Sequence, residues 1–516
     1  MLALFPYINL LRLILEYLEY MLSIAVLGTG SSSLAFLIKL LSDKNNFRNE
    51  PLRIDVIDFG SRKLTDPTYR APGVAGKPLA QKPDALYVPP LFHTVSKLDG
   101  GIAGSSSFGG WSNIWGATLE KYPDSHTSLW GDEKDTLHDS YRFLEERFLH
   151  FRKNTELTGP IKRILPSSLA EPKIVDTVTE HFQQKASSLA INNFSETQEV
   201  GCNQCGLCLE GCPANHIWSS TAEWNRLFES DNVKSVCNVW IERIVETAGN
   251  VSLTTMIADG SRITTEYDRV FIGLGSLQTS SLLLRSEISL TDEIRVKDSK
   301  MALVPLIRRN LSRTGDEKPR IALCDGFVTV TNKRNVIGKN EFFSQIYCFS
   351  SSMHKQLEEE FSFLKLFPRK ILSWLLSRFA IAMCFFDQDL SGEISITIKD
   401  HKVFMAPIKR IEKSRPLRRF LTRSFKFSDF KPLTRFSKPS PVGLGYHFGA
   451  SFPMSNRISP DSNSSDIYGR PNGLSRIHII DSTVLPRISA FPITFTTMAN
   501  AVRIASHFDH FKDENQ

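Results

Sequence analysis

The chain has 516 residues, 41% of them hydrophobic and 23% charged, with a formal net charge of +7. That length exceeds what one core accommodates and predicts two domains or three. Ordinary composition excludes a disordered or fibrous chain, and so mild a charge does not point to nucleic acid.

In the first twenty residues Pro6, Arg12, Glu16 and Glu19 interrupt the apolar run, which makes a poor membrane span. The run also lacks the basic start and cleavage site of a signal peptide. It reads as an amphipathic interfacial helix, or as an extension ahead of a true start at Met21. The expected location is cytoplasmic, with peripheral membrane contact left open.

Ser23–Leu27 predicts a buried strand and Leu34–Leu41 the start of a helix. Between them Gly28-Thr29-Gly30-Ser31-Ser32-Ser33 has the form of a dinucleotide fingerprint with Ser at the third glycine position. Gly28 permits the tight turn, and Gly30 lets a pyrophosphate approach the helix N-terminus. Arg53–Asp58 predicts the second strand, with Asp58 placed to hold a ribose 2′-hydroxyl. A Pro/Gly-punctuated loop then runs to about Leu98. The Gly- and Ser-rich stretch from Gly100 to Gly116, with Trp111 and Trp115, suits a backbone that passes close to a flat ligand and offers amides to phosphate.

Asp132–Lys153 reads as helix, and so does Thr221–Glu229. Val239–Val245, Ser252–Met256 and Arg262–Thr265 read as a small antiparallel sheet. Arg269–Leu274 reads as a buried strand leading through Gly275 into the helix Ser280–Ser286. Further on, Arg320–Cys324, Phe327–Thr331 and Ile394–Ile398 read as strands, and Phe361–Phe386 as an apolar helical region broken by Pro368. Lys409–Lys438 carries eleven Lys and Arg against Glu412 and Asp429. It reads as a solvated helix face or, with Phe420, Phe425, Phe427 and Phe430 interleaved, as a surface for anionic lipid or an acidic partner. Ile477–Ile480 reads as a strand ending at Asp481, and Thr494–Phe508 as the last helix.

Cys202-x2-Cys205-x2-Cys208-x3-Cys212-Pro213 has the spacing of a ferredoxin cluster segment. A 4Fe–4S cluster and tetrahedral zinc both fit four such thiolates. The fourth cluster ligand is Cys212 or a distant thiol such as Cys237. Cys324, Cys348 and Cys384 read as core residues.

Together GTGSSS with Asp58, GGWSNIWG, GLGSLQTSSLLLRS, YHFGA and IIDSTVLPRISAFPITFTTMANAVRIA resemble the glucose-methanol-choline (GMC) flavin oxidoreductases. The likeness is to the branch with cholesterol oxidase-like and sugar dehydrogenase-like members, some of which carry a similar cysteine run. The resemblance implies an α/β fold: a Rossmann-like FAD-binding domain assembled from separated segments, plus an α+β substrate domain with a mostly antiparallel sheet. Expected parts are an extension (1–20), FAD domain (21–125), a helical part of the substrate domain (126–195), the cysteine segment (196–220), FAD domain (221–298), substrate domain (299–440) and FAD domain (441–516).

By family position Gly109, Gly110, Ser112 and Asn113 contact the pyrophosphate or flavin, and Ser31 and Ser32 belong to the fingerprint. Val239 lies by the adenine, Gly275 lines the cofactor, and Asp481 binds the ribityl or pyrophosphate region. Thr494 and its helix N-terminus face the flavin pyrimidine. Ile114 stands where related sugar oxidases attach flavin through histidine, which implies non-covalent FAD. His447 matches the active-site histidine, placed to accept a substrate hydroxyl proton. Phe491 stands where members have Asn or His, which opens a redox-neutral reaction as an alternative. A non-catalytic flavin fold with a structural zinc knot is the other. Expected partners are a small alcohol or sugar-type substrate and an electron-carrier protein or quinone.

Overall fold

Ile24–Leu27 is apolar on both faces, and in Ile54–Ile57 only the buried Asp55, paired with Arg53 and Tyr267, interrupts the apolar run, which suits strands covered on each side. In the computed structural model they form the middle of a parallel sheet. The structure describes residues 22–43, 52–60, 94–98, 105, 107–113, 115–147, 151–153, 169, 172–191, 208, 216–230, 232–309, 323–333, 341–348, 368, 378–400, 402–408, 414–455 and 462–508. The sheet consists of β1 (Leu22–Leu27), β2 (Leu52–Asp58), β3 (Val233–Cys237), β4 (Arg269–Ile272) and β5 (Ile477–Ile479). Their order is β5-β4-β1-β2-β3, and every adjacent pair is parallel. Leu27 stands opposite both Ile57 and Ile272, so the ends of the three central strands lie side by side.

The main described helices are α1 (Ser31–Ser42), α2 (Lys134–Arg147), α3 (Ser220–Leu227), α4 (Ser276–Arg285), α5 (Ser414–Ser424) and α6 (Ile493–Ser506). Ile24 and Val26 share a core with Leu34, Leu37 and Leu40 of α1 and with Met498 and Val502 of α6. Ala25 and Leu27 face the other way, onto Leu282 and Leu283 of α4 and Ile244 and Leu253. The latter two belong to a small antiparallel sheet of Trp240–Glu246, Val251–Met256 and Arg262–Tyr267.

A second five-stranded sheet runs Phe448–Gly449, Glu293–Asp298, Glu393–Lys399, Lys402–Ile408, Thr94–Ser96. An eight-stranded antiparallel sheet is centred on Met301–Arg308, Phe379–Phe386, Phe342–Cys348, Gly326–Asn332 and Glu180–Ala186. Side chains alternate across it. Val304, Val328, Phe342 and Phe386 pack under Leu421 and Phe425 of α5 and its C-terminal end. Phe327, Phe343 and Phe385 join the core of the parallel sheet on the opposite face.

Several expectations change. Phe379–Phe386 is a central strand rather than helix: Phe385 faces Phe343 across the ladder while Cys384 and Phe386 point away, a period of two that an all-apolar run conceals. Leu323 and Cys324 lie outside any strand, which begins at Gly326. The helix read over Asp132–Lys153 ends at Arg147, and Phe151–Lys153 pairs with Ser188–Ala190. The stretch 126–195 also supplies strands Lys173–Asp176 and Glu180–Ala186, so it is only partly helical. The extension 1–20, residues 61–93, Ile114, Cys202, Cys205 and Cys212 lie outside the described residues. Cys324, Cys348 and Cys384 are buried in the core, as expected.

Phe342 is fully buried, with the rings of Phe420 and Phe425 at 5.9 and 5.6 Å. Phe342→Ala should cost about 3–5 kcal/mol of stability by denaturant unfolding. A loss below about 1 kcal/mol would contradict this packing of α5.

Candidate active site

The turn between β1 and α1 is held from four sides at Thr29. Gly28 has φ +90°, and a Cβ there would meet the Gly273 carbonyl oxygen at 2.6 Å, so only glycine suits the position. The Thr29 amide and hydroxyl both donate to Asp58 Oδ2 at 2.7 Å, while the Gly60 amide donates to Asp58 Oδ1 at 2.5 Å. The Gly109 amide donates to the Thr29 hydroxyl oxygen at 2.8 Å. The Thr29 carbonyl accepts from Trp224 Nε1 at 2.7 Å and from Ser220 Oγ at 3.1 Å. Asp58 therefore braces the turn beside the place expected for a ribose. Burial pushes its carboxyl up to about 6, against these hydrogen bonds.

Ser31 and the buried Ser32 open α1, whose first turn carries no acid. Its leading amides have no acceptor within the helix, the arrangement that receives a pyrophosphate. Ser33 is buried and donates from its hydroxyl to the Gly273 carbonyl at 3.4 Å. The close helix–strand approach that a third glycine would give comes instead from Gly273, where a Cβ would lie 2.1 Å from Ser33 Oγ.

Gly110–Asn113 forms a single 3-10 turn against the fingerprint, with Gly110 beside Gly30. The Ser112 hydroxyl donates to the Gly109 carbonyl at 2.7 Å and accepts from the Ser220 amide at 2.9 Å. Asn113 donates to the Phe108 carbonyl at 2.8 Å and accepts from the Thr221 hydroxyl at 2.9 Å. Both side chains fix the shape of this segment. Val239 is buried just past β3, its amide donating to the Asp58 carbonyl at 3.4 Å. The Gly275 amide and Thr279 hydroxyl donate to Asp481 Oδ2 at 2.9 and 2.5 Å, and the Thr483 amide to Oδ1 at 2.9 Å. Burial raises the Asp481 pKa against those bonds. Thr494 is half-buried in the first turn of α6, which also lacks an acid there.

His447 reaches the same region through its neighbour. The Tyr446 ring meets Trp111 at 6.0 Å, and the His447 imidazole stacks on Phe385 at 4.7 Å. His447 Nδ1 is buried with no hydrogen-bond partner among the described residues. Burial lowers its pKa to about 4, so the ring is neutral at pH 7. The backbone around it is pinned on both sides. The Ser299 amide donates to the His447 carbonyl at 3.1 Å, and the Ala450 amide to the Ser482 carbonyl at 2.9 Å. Asp298, which burial pushes up to about 7, accepts from the Gly443 amide at 3.0 Å. Phe491 is buried with its ring 5.0 Å from Phe343. An orphaned imidazole nitrogen beside aromatic walls, two helix N-termini without acids and a glycine cradle together fit FAD.

Thr29, Ser220, Trp224 and Asp298 escaped sequence reasoning. Only Thr29 carried a signal, by lying inside the fingerprint. His126 was also missed. It is fully buried, with Nδ1 3.0 Å from Glu341 Oε2 and Nε2 3.2 Å from Asp387 Oδ2. The two ring nitrogens face different carboxylates, which suits an imidazolium between two anions better than a ligand to one metal ion. Arg487 Nε donates to Asp387 Oδ2 at 3.0 Å, and Gln388 holds the Ile488 backbone amide at 2.9 Å. The cluster thus ties the segment leading to Phe491 onto the eight-stranded sheet. Burial works against the charge on His126, but hydrogen bonds to Asp387 and Glu341 outweigh it and raise its pKa.

Residues 102–313 match the family model described as GMC oxidoreductase. Pyridoxine 4-oxidase from Mesorbium loti superposes with a TM-score of 0.59 at 12% identity, over 95% of this chain and 99% of that one. Formate oxidase from Aspergillus oryzae RIB40 gives 0.60 at 12% identity, over 96% and 99%. At such identity these likenesses are of fold. No curated protein matches in sequence. The family model over residues 102–313 and the shared fold together indicate an FAD-dependent oxidoreductase similar to the GMC oxidoreductases.

A raised histidine pKa stabilises most below the unfolded value near 6.5, and that contribution is lost as pH rises through the folded value. His126→Gln should therefore cost about 3–5 kcal/mol at pH 6 and less at pH 9, by denaturant midpoints. An equal cost at both would contradict a charged His126.

Proposed function

We propose that the protein oxidises a CH–OH group of a sugar, sugar conjugate, sterol or other small alcohol. The observation that carries this reading is the buried Nδ1 of His447, without a hydrogen-bond partner among the described residues, next to Tyr446 whose ring meets Trp111 of the glycine-rich segment. FAD, when bound, supplies the two-electron acceptor for the hydride on the substrate carbon. Gly28, Gly30, Ser31 and Ser32 with Asp58 and Val239 hold the nucleotide. Gly109, Gly110, Ser112 and Asn113 shape the wall beside the pyrophosphate and flavin, Gly275 and Asp481 hold the middle of the cofactor, and Thr494 with the α6 N-terminus lies by the pyrimidine. His447 takes the hydroxyl proton on its ring, which is free to accept it because burial keeps it neutral. Phe343, Phe385 and Phe491 keep water from the reacting carbon.

Phe491 carries no polar group and packs on Phe343, which favours a redox-neutral isomerisation as the second reading. Net reduction of an acceptor dye by substrate eliminates it. His447→Asn should keep its flavin and lower the rate of flavin reduction by about 10²–10⁴-fold. In the parent enzyme that rate should hold through neutral pH and fall only toward about pH 4. An unchanged rate in the variant would remove His447 from the chemistry.

We further infer that Cys202, Cys205, Cys208 and Cys212, or Cys237 for the last, hold an iron–sulfur cluster. Such a cluster supplies one-electron transfer toward an electron-carrier protein or quinone. Support comes from the spacing and from α3 downstream, whose Ser220 and Trp224 bond the Thr29 carbonyl and so bring the chain after the run to the nucleotide turn. Anaerobically purified protein should contain iron and acid-labile sulfide. Zinc in their place would make the run a structural knot.

A further inference from the structure

We propose that the outer face of α5 and the turn beyond it form a docking surface for an anionic membrane. Residues 409–438 carry a larger surplus of positive charge than the +7 of the whole chain, so the rest of the molecule is net acidic. Leu421 and Phe425, with Leu417 and Phe420 beside them, pack onto the eight-stranded sheet, and Arg418, Arg419 and Arg423 of α5 lie exposed. Arg418, Arg419, Lys426, Lys431, Arg435 and Lys438 are all exposed and have no ion-pair partner among the described residues. Nearby acids are already engaged: Glu180 pairs with Arg423, and Asp429 with Lys173.

Amid these cations Phe436, on the 3-10 turn Thr434–Phe436, is 67% exposed. The strands flanking that turn, Phe430–Pro432 and Lys438–Pro439, both pair with Met301–Arg308 and anchor it rigidly. A bare aromatic ring on a rigid turn among cations matches a lipid headgroup layer, where the ring sits at the interface and lysines and arginines meet phosphate. An acidic electron carrier fits less well. The ridge lies on the face of the sheet carrying Phe342 and Phe386, whereas Phe385 and Phe343, near His447, lie on the opposite face. A carrier docked there would sit across a sheet and a helix from the reaction. The described residues include no helix long and apolar enough to cross a membrane, so attachment through this ridge would be peripheral.

The test is co-sedimentation of the full-length, flavin-loaded protein with vesicles of phosphatidylcholine alone or with about one third phosphatidylserine. Binding should require phosphatidylserine and be lost in about 1 M salt. The triple variant Arg418→Glu, Arg419→Glu, Lys426→Glu should weaken it by at least about tenfold. Phe436→Ser should weaken it while leaving the salt dependence in place. All four positions are exposed, so flavin content and melting temperature serve as folding controls. Several outcomes overturn the proposal: no binding to anionic vesicles, equal binding to neutral ones, or triple-variant binding as tight as the parent's, which would move the contact elsewhere in the chain. Binding to polyglutamate but not to vesicles would also overturn it, in favour of an acidic protein.

Discussion

The whole site depends on the peptide at Thr29. Its amide and hydroxyl face the Asp58 carboxylate, its hydroxyl oxygen takes the Gly109 amide, and its carbonyl takes Ser220 and Trp224. One residue thus joins the ends of β1 and β2, the glycine-rich segment and the helix after the cysteine run. Each bond is buried, so leaving any of these groups unpaired would cost on the order of 1–3 kcal/mol. The four segments are accordingly fixed together or not at all. A cofactor bound at the α1 N-terminus meets a surface already assembled.

Across the crevice, the eight-stranded sheet has a different task on each face. Toward the cofactor side it presents Phe343 and Phe385, the latter stacked on His447, and it receives Phe491. On its back it buries α5. The Asp387 that closes the central strand also anchors Arg487 and His126, so sheet and Phe491 segment move as one body. Such rigidity serves the proposed oxidation, in which proton and hydride leave the same substrate from fixed directions.

The parallel sheet and its turn were legible because their signals are local: an apolar run, glycines, a second run ending in Asp58. The roles expected of His447 and Asp481 rest on family resemblance rather than on spacing, since a histidine between Tyr446 and Phe448 on its own reads more readily as core. The strand Phe379–Phe386 was hidden because its side chains are apolar on both faces, which erases the alternation that separates strand from helix. His126, Glu341 and Asp387 lie far apart in the chain, and no spacing announces that they will meet. Ser33 illustrates a subtler limit. It stands where the fingerprint has its third glycine, yet Gly273 at the end of β4 supplies the close approach.

The central claim is that these distant segments close around FAD with the His447 imidazole at its reactive edge. A crystal structure of the flavin-loaded protein tests it most directly. The account predicts pyrophosphate at the α1 N-terminus, between Gly30 and Gly110, and a His447 ring nitrogen about 3–4 Å from where the substrate hydroxyl must sit. Flavin bound elsewhere, or His447 separated from it by other side chains, would contradict it.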